Sequence, residues 1–303
     1  RILYSQGCDL YKDKVENLAW DQDRISEAVI TAENSDVVIL CVGLNETLEG
    51  EEGDTGNSDA SGDKVDLHLP KVQEELIEKV TAVGKPTIVV LMAGSAIDLN
   101  YAQDNCNGIL LAWYPGARGG RAIADLLFGK ESPSGKLPIT FYKDLEGIPD
   151  FTDYSLKNRT YRYMEKEALY PFGYGLTYSD TCVTEAEVVG EVSAESDIML
   201  KATVKNNGTV DTDEVVQVYI KDLDSPLAVR NYSLCGFKRV SLKAGEEKSV
   251  EFTISNKAMN IVDEDGNRYI AGKHFRLFAG VSQPDTRSAE LTGHKPAEVE
   301  IAL

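Results

Sequence analysis

The sequence has 303 residues, which is long for a single hydrophobic core, so we expect two domains. Hydrophobic residues make up 42% and charged residues 27%, as in ordinary globular proteins, and the formal net charge is −19. A negative charge of this size repels phosphate backbones and anionic lipid heads, which argues against nucleic acid and membrane surfaces as partners. A neutral substrate such as a sugar is compatible with it.

The apolar stretches are short, and none reaches the roughly 18 residues that would indicate a transmembrane helix. The chain opens at Arg1 without an initiator Met or a signal-peptide pattern, so we expect it to begin inside a larger gene product. The odd, scattered set of cysteines predicts reduced thiols, a bacterial cytoplasmic location, and neither a metal site nor a cofactor. These cysteines are Cys8, Cys41, Cys106, Cys182 and Cys235.

The first half of the sequence alternates helical and strand patterns. Apolar residues in Asp23–Asn34 recur at helical spacing, and Val37–Val42 is a β-branched run typical of a strand buried on both faces. Further helices are predicted at Pro70–Val83 and Gly120–Phe128, and further strands at Pro86–Met92, Gly108–Trp113 and Lys136–Phe141. This alternation predicts an α/β sandwich, a mostly parallel sheet flanked by helices, over residues 1–178. Its last part, about 142–178, is expected to wrap the domain as a linker.

From Ser179 onward the helical patterns give way to short alternating segments. Strands are predicted at Ile198–Lys205, Glu214–Lys221, Val250–Ile254 and His274–Gly280. Short strands at this spacing, with turn signals between them, predict an all-β sandwich over residues 179–303.

The most informative segment is the long acidic loop from Leu44 to about His68. It starts where a predicted strand ends, which is where open α/β sheets bind ligands. Its carboxylates are Glu46, Glu49, Glu51, Glu52, Asp54, Asp59, Asp63 and Asp66. Clustered carboxylates raise each other's pKa, as a general acid requires, although a merely solvated acidic loop explains the pattern equally well.

Other motifs give weaker indications. Asn57–Gly62 resembles the first half of a calcium-binding EF-hand loop, but the twelfth position is His68 instead of Glu. The glycines of Gly116–Gly120 lack the Lys-Ser/Thr of a phosphate-binding loop, and Ser95 lacks the flanks of a nucleophile elbow. The aromatic residues between Tyr161 and Tyr178 could stack on a sugar or pack a linker.

Long segments resemble glycoside hydrolase family 3. Ala112–Gly129, which reads AWYPGARGGRAIADLLFG, and Ser132–Pro138 are similar to the α/β sandwich domain of that family. Tyr170–Tyr178 resembles the stretch that ends this domain, and Leu234–Val240 resembles the family's terminal fibronectin type III-like domain, an immunoglobulin-like β-sandwich.

The resemblance implies a retaining, exo-acting β-glycosidase, a β-xylosidase or β-glucosidase, that removes terminal non-reducing sugars from an oligosaccharide or glycoside. In this family a (β/α)8 barrel supplies the aspartate nucleophile and the sandwich loop supplies the glutamate acid/base. Leu48–Glu51 matches the family's aliphatic-Glu-small-Glu stretch. The match assigns Glu49 as acid/base with Glu51 in reserve, and Glu46 and Glu52 next.

The resemblance also sets the expected partners. The chain has no barrel, so it should be inactive alone and should pair with a barrel-bearing domain or chain, and a homo-oligomer is possible. The loop departs from the family because Asp63-Lys64 stands where Asp-Arg is frequent. A non-catalytic carbohydrate-binding or scaffold module that shares the fold is the alternative.

Overall fold

The computed structural model describes residues 1–50 and 64–303. Its contacts divide the chain into two compact units: Arg1–Ala124 with Tyr142–Leu145, and Asp125–Phe141 with Glu146–Leu303. None of the described helices is both long enough and apolar enough to cross a membrane. The five cysteines are all free thiols.

The first unit is built on a parallel sheet in the order β1-β2-β3. The strands are β1 (Val38–Gly43), β2 (Thr87–Met92) and β3 (Gly108–Leu111). The helices are α1 (Asp23–Glu33), α2 (Lys71–Thr81), α3 (Asn100–Asn105) and α4 (Gly119–Leu127), the last running across the division between the units. The predicted α/β architecture is confirmed.

The core of this unit is formed by the central strand and the apolar side of α2. Val89, Val90 and Leu91 of β2 are fully buried, as expected for a strand with a neighbour on each side. Leu76 and Val80 are the buried side chains of α2 that follow the helical spacing of its sequence. The apolar pattern therefore decides which side of α2 faces the interior.

Gly43 ends β1 and starts the acidic loop. Its φ is +148°, and a Cβ there would lie 1.9 Å from the carbonyl oxygen of Met92 on β2. The buried side chain of Gln73, on α2, accepts from the Gly43 N–H and donates to its carbonyl, both at 2.7 Å. The close contact between the Gly43 and Met92 backbones and the buried amide of Gln73 thus fix the point where the loop leaves the sheet.

We expect Gly43→Ala to lower the free energy of unfolding by about 3 kcal/mol or more, because the added methyl overlaps backbone that cannot move without breaking the β1–β2 ladder. Gly84→Ala is the control, since Gly84 has φ +79° but open space around it, and should cost roughly 1–2 kcal/mol. Trp20 and Trp113, the two tryptophans of the chain, both lie in this unit, so tryptophan fluorescence during denaturation reports it. Equal losses in the two variants would contradict the steric argument.

The second unit is a sandwich of two antiparallel sheets, in the orders β12-β11-β6-β7 and β4-β5-β8. The main strands are β4 (Thr181–Val189), β5 (Ile198–Asn206), β6 (Thr212–Asp222), β7 (Ser233–Leu242), β8 (Glu247–Ile254), β11 (His274–Gly280) and β12 (Ala297–Ala302). A short pair, β9 (Ile261–Val262) and β10 (Arg268–Tyr269), and the helices α5 (Thr160–Tyr163) and α6 (Thr286–Thr292) complete it. The predicted β-sandwich is confirmed.

One apolar core lies between the two sheets. It takes alternate side chains from both, such as Leu200 and Val204 of β5, Val218 of β6 and Leu277 of β11, which are all at most 1% exposed. This is the inward face that the two-residue period of the sequence predicts. A separate aromatic cluster surrounds the buried Tyr219.

The aromatic residues before Tyr178 pack within this second unit. Tyr161 stacks on Phe172 with ring centroids 4.3 Å apart, and Tyr170 stacks on Tyr174 at 5.6 Å. Tyr161 also contacts Tyr219 edge-on. For these four side chains the linker-packing interpretation is therefore the one that the structure supports.

The predicted strand Lys136–Phe141 is wrong. Phe141 forms only an isolated bridge with Tyr170, and Leu137 exchanges hydrogen bonds with Gly173 and Tyr174. Pro138 has no N–H to donate, which prevents a continuous ladder. The apolar run reflects packing against Tyr170–Tyr174. The domain boundary at residue 178 stays a prediction.

Candidate active site at the start of the acidic loop

The loop after β1 begins with a compact turn that orients Glu49. The N–H groups of Leu48 and Glu49 both donate to the carbonyl of Asn45, and the Asn45 side chain accepts from the backbone and hydroxyl of Thr47. Leu44 and Leu48 are buried beneath this turn. The turn therefore has an apolar underside and leaves the Glu49 side chain at its edge.

The Glu49 carboxylate is held by residues that follow the other two strands. Its Oε2 accepts from the Gly94 N–H at 2.8 Å and from the Tyr114 hydroxyl at 2.5 Å. The neighbouring Ser95 hydroxyl acts on the same carboxyl and lowers its pKa. Gly94 comes shortly after β2, and Tyr114 comes shortly after β3. The carboxyl ends of three parallel strands thus meet at this one side chain, as the geometry of open α/β sheets requires.

Lys64 contacts the segment that follows β2. Its ammonium donates to the Ser95 hydroxyl at 2.9 Å and to the carbonyl of Ala96 at 2.8 Å. The Ser95 hydroxyl accepts from Lys64, so its own hydrogen is available for Glu49. The positive charge of Lys64 therefore stabilises the Glu49 carboxylate through space, and Ser95 links the two side chains.

These contacts decide the charge state of Glu49. Partial burial acts to raise the pKa of its carboxyl, but the hydrogen bonds from Ser95, Tyr114 and Gly94, with the charge of Lys64, lower that pKa below the ordinary glutamate value. The pKa of Tyr114 is raised by its own burial and by its bond to Glu49. Burial lowers the pKa of Lys64, and Glu49 and Asp66 oppose this. At neutral pH Glu49 is a carboxylate and Tyr114 a neutral donor.

A cavity of about 460 Å³ opens beside this cluster. Glu49, Lys64, Asp66 and Ser95 supply its polar side chains, and its apolar part includes Tyr142 and Leu145. Charged groups next to an aromatic and aliphatic wall suit the polar edges and apolar faces of a sugar.

The structure describes some of the carboxylates that the sequence singles out, and of the described candidate glutamates only Glu49 joins the cluster. Glu49 sits in the cluster just described, whereas the exposed Glu46 precedes it in the same turn. Glu51 and Glu52 lie outside the described residues, as does the calcium-like stretch Asn57–Gly62. Within residues 1–50 and 64–303, no group of three or more His, Cys, Asp or Glu side chains is placed to hold a metal ion.

Three side chains of the cluster carry contacts that the sequence did not reveal. The sequence gives no role for Tyr114, presents Ser95 only as a possible nucleophile, and shows Lys64 only where the family motif has Arg. The available signal was position, because Ser95 and Tyr114 each follow a predicted strand at the carboxyl edge of the sheet. His68 contacts Glu74 at 2.9 Å instead of joining this cluster.

The chain is similar in sequence and in structure to known glycoside hydrolases. The model of the glycosyl hydrolase family 3 C-terminal domain matches residues 5–178, and that of the fibronectin type III-like domain matches residues 214–283. A xylan 1,4-beta-xylosidase of Xylanibacter ruminicola is 39% identical over 88% of this chain, and a periplasmic beta-glucosidase of Salmonella typhimurium is 30% identical over 93%. The solved structure of a β-glucosidase from Erythrobacter marinus superimposes with a TM-score of 0.81 over 99% of the chain at 30% identity.

The chain spans only part of each of these proteins. It covers 31% of the xylosidase, 39% of the periplasmic glucosidase and 41% of the glucosidase of known structure. The family model matches more than half of the chain, in the order that the folded units follow. The chain therefore belongs to glycoside hydrolase family 3 and comprises its C-terminal domain followed by its fibronectin type III-like domain.

Proposed function

We propose that this chain is the part of a retaining, exo-acting β-glycosidase that supplies the glutamate acid/base, while the aspartate nucleophile lies on a (β/α)8 barrel outside the chain. The observation that carries this proposal is the Glu49 anchor at the carboxyl edge of the sheet, immediately before a run of further carboxylates. The substrate is a glycoside with a terminal non-reducing β-linked sugar. Two relatives named β-xylosidases, 39% and 34% identical, support a xyloside, with a glucoside as the second candidate.

The charge state of Glu49 favours Glu51 as the proton donor. A general acid must be protonated at the working pH, whereas the pKa of Glu49 is lowered and its carboxylate already accepts hydrogen bonds from Gly94 and Tyr114. We therefore assign Glu49 to anchoring and Glu51 to acid/base catalysis.

The negative charge of the anchored Glu49 carboxylate also favours Glu51 as the acid. A carboxylate near a second, permanently ionised carboxylate has its pKa raised, because the like charge disfavours a second ionisation. Glu51 would then protonate the leaving glycosidic oxygen and afterwards take a proton from the water that attacks the glycosyl-enzyme. Retention requires its carboxyl to lie about 5–5.5 Å from the nucleophile, which demands a firmly held loop.

We expect the isolated chain to hydrolyse no aryl glycoside, because without the nucleophile no glycosyl-enzyme can form. The same chain joined to its barrel should hydrolyse nitrophenyl β-xyloside with a higher kcat/KM than nitrophenyl β-glucoside. Turnover by the purified chain alone would refute the division of catalytic residues. A preference for the glucoside would leave the mechanism standing but replace the substrate. Sugar binding by the isolated chain, with no activity in the joined protein, would favour the carbohydrate-binding module.

A further inference from the structure

Two separate segments of the chain supply the four large apolar side chains that line the cavity beside Glu49. Val65 and Leu67 come from the segment just before α2. Tyr142 and Leu145 are the ends of a four-residue stretch with which the chain rejoins the first unit after residue 124. A site that recognises a ligand by apolar contact needs such side chains at a fixed spacing, so the spacing of these two segments is expected to govern sugar binding.

One short segment after β2 contacts both of them. The N–H of Asp98 donates to the carbonyl of Leu67 at 2.6 Å. Two residues later, the side-chain amide of Asn100 donates to the carbonyl of Lys143 at 2.7 Å, within the stretch Tyr142–Leu145. Three consecutive residues thus connect the two segments that carry the apolar side chains of the cavity.

We propose that Asn100 is a positioning residue that, together with Asp98, holds these two segments at the spacing that a sugar needs in the cavity of the proposed glycosidase. The inference rests on the proposed function for the identity of its ligand. The hydrogen bonds themselves belong to this chain and can be tested without any activity.

The Asp98–Asn100 segment is well placed to hold its neighbours because its own backbone is anchored. Ile97 and Leu99, on either side of Asp98, are 0% and 3% exposed. The Asp98 Oδ1 accepts from the Asn100 N–H at 2.9 Å and from the Asn100 side-chain amide at 2.7 Å. The Asp98 backbone therefore cannot shift without disturbing the core of the first unit.

The orientation of the Asn100 amide follows from its two acceptors. Its nitrogen carries two hydrogens, of which one goes to the Asp98 carboxylate and the other to the Lys143 carbonyl. A flipped amide would place its oxygen against two acceptors and would lose both bonds. The Asp98 carboxylate thus directs the Asn100 donor to the stretch Tyr142–Leu145.

The first test follows the Lys143 carbonyl by NMR in the 303-residue chain. Carbon-13 in lysine carbonyls combined with nitrogen-15 in aspartate selects Lys-Asp pairs, and the sequence has three of them: Lys12-Asp13, Lys143-Asp144 and Lys221-Asp222. The Lys143 correlation is identified by its loss in Lys143→Arg. Asn100→Ala and Asn100→Asp should both move its carbon resonance to lower chemical shift, because each removes a donor that deshields the carbonyl. The other two correlations should stay in place.

Asn105→Ala is the matched control for these variants. Asn105 lies at the other end of the same helix, α3, and its side-chain amide also donates to a backbone carbonyl, that of Tyr101, at 2.9 Å. Its replacement should leave the Lys143 resonance unchanged. An unmoved Lys143 resonance in both Asn100 variants would overturn the proposal, and so would an equal shift in Asn105→Ala, which would trace the effect to the helix as a whole.

The second test uses the barrel-bearing enzyme. Asn100→Ala and Asn100→Asp should raise KM for nitrophenyl β-xyloside about 2- to 10-fold with little change in kcat, as expected when one hydrogen bond that supports ground-state binding is lost. Asn105→Ala should retain both constants. A shifted Lys143 resonance with an unchanged KM, or a loss confined to kcat, would overturn the positioning role. An unaltered enzyme without glycosidase activity would refute the proposed function instead, and the Lys143 resonance would still decide whether Asn100 holds the stretch.

Discussion

Replacing Glu51 by Gln in the barrel-bearing enzyme is expected to lower kcat for glycosides with poor leaving groups about 10²–10⁴-fold, the usual contribution of general acid catalysis. A nitrophenyl glycoside needs little protonation, so the formation of its glycosyl-enzyme should be largely spared. The second step still lacks a base, so the glycosyl-enzyme should accumulate. Added azide, which attacks without base assistance, should then restore turnover and give a glycosyl azide.

On the proposed assignment, in which Glu49 anchors the loop and Glu51 transfers the proton, Glu49→Gln should behave differently. We expect a lower kcat without azide rescue. The limb of the pH–rate profile that reports the acid should also move to lower pH, since the loss of a negative neighbour lowers the pKa of the remaining acid. Glu46→Gln removes an exposed charge from the same turn and should leave both measurements unchanged. Azide rescue in Glu49→Gln and not in Glu51→Gln would restore the assignment made from the sequence motif.

Strands could be predicted from the sequence where their apolar residues follow the pattern of side chains that face the core. The predicted strand His274–Gly280 is β11 with the same bounds; His274–Leu277 alternates between accessible and buried side chains, and the rest of the strand is buried. By contrast, Leu242 is the one fully buried residue of β7, whose exposed positions include Lys238 and Arg239, so its sequence contains little alternation. Edge strands of this kind are shaped by pairing with a neighbour, which local sequence does not encode.

The sequence predicted where the candidate site lies, but not which side chains contact one another there. The length and acidity of the segment after β1 indicated the loop, and the motif match indicated Glu49. The partners Ser95 and Tyr114 follow different strands, 46 and 65 positions beyond Glu49, so only the strand order brings them together. The charge state of Glu49 depends on those partners, so the motif alone could indicate the residue but not the contacts that set its pKa.

The second unit contains a buried ion pair whose loss should have a large effect on stability. Lys136 and Glu214 lie 2.8 Å apart, with side chains 9% and 2% exposed. Glu214 also accepts from the Thr181 hydroxyl and from the Val215 N–H, and Lys136 also donates to the carbonyl of Gly175. Each charge is thus compensated by its partner and by neighbouring dipoles, which is the condition for keeping charges in an apolar interior.

We expect Glu214→Gln to lower the free energy of unfolding of this unit by roughly 3–5 kcal/mol, because it leaves the Lys136 ammonium buried without a counter-charge. Lys136→Met should have a similar cost for the opposite reason, and the double replacement should cost less than the sum because no lone charge remains. Arg239→Met is the control, since its pair with Asp213 is exposed and should be worth at most about 1 kcal/mol. The chain's two tryptophans lie in the other unit, so the near-ultraviolet circular dichroism of the tyrosines around Tyr219 is the signal to follow. Additive losses in the double variant would mean that the two charges are stabilised independently and that their pairing contributes little.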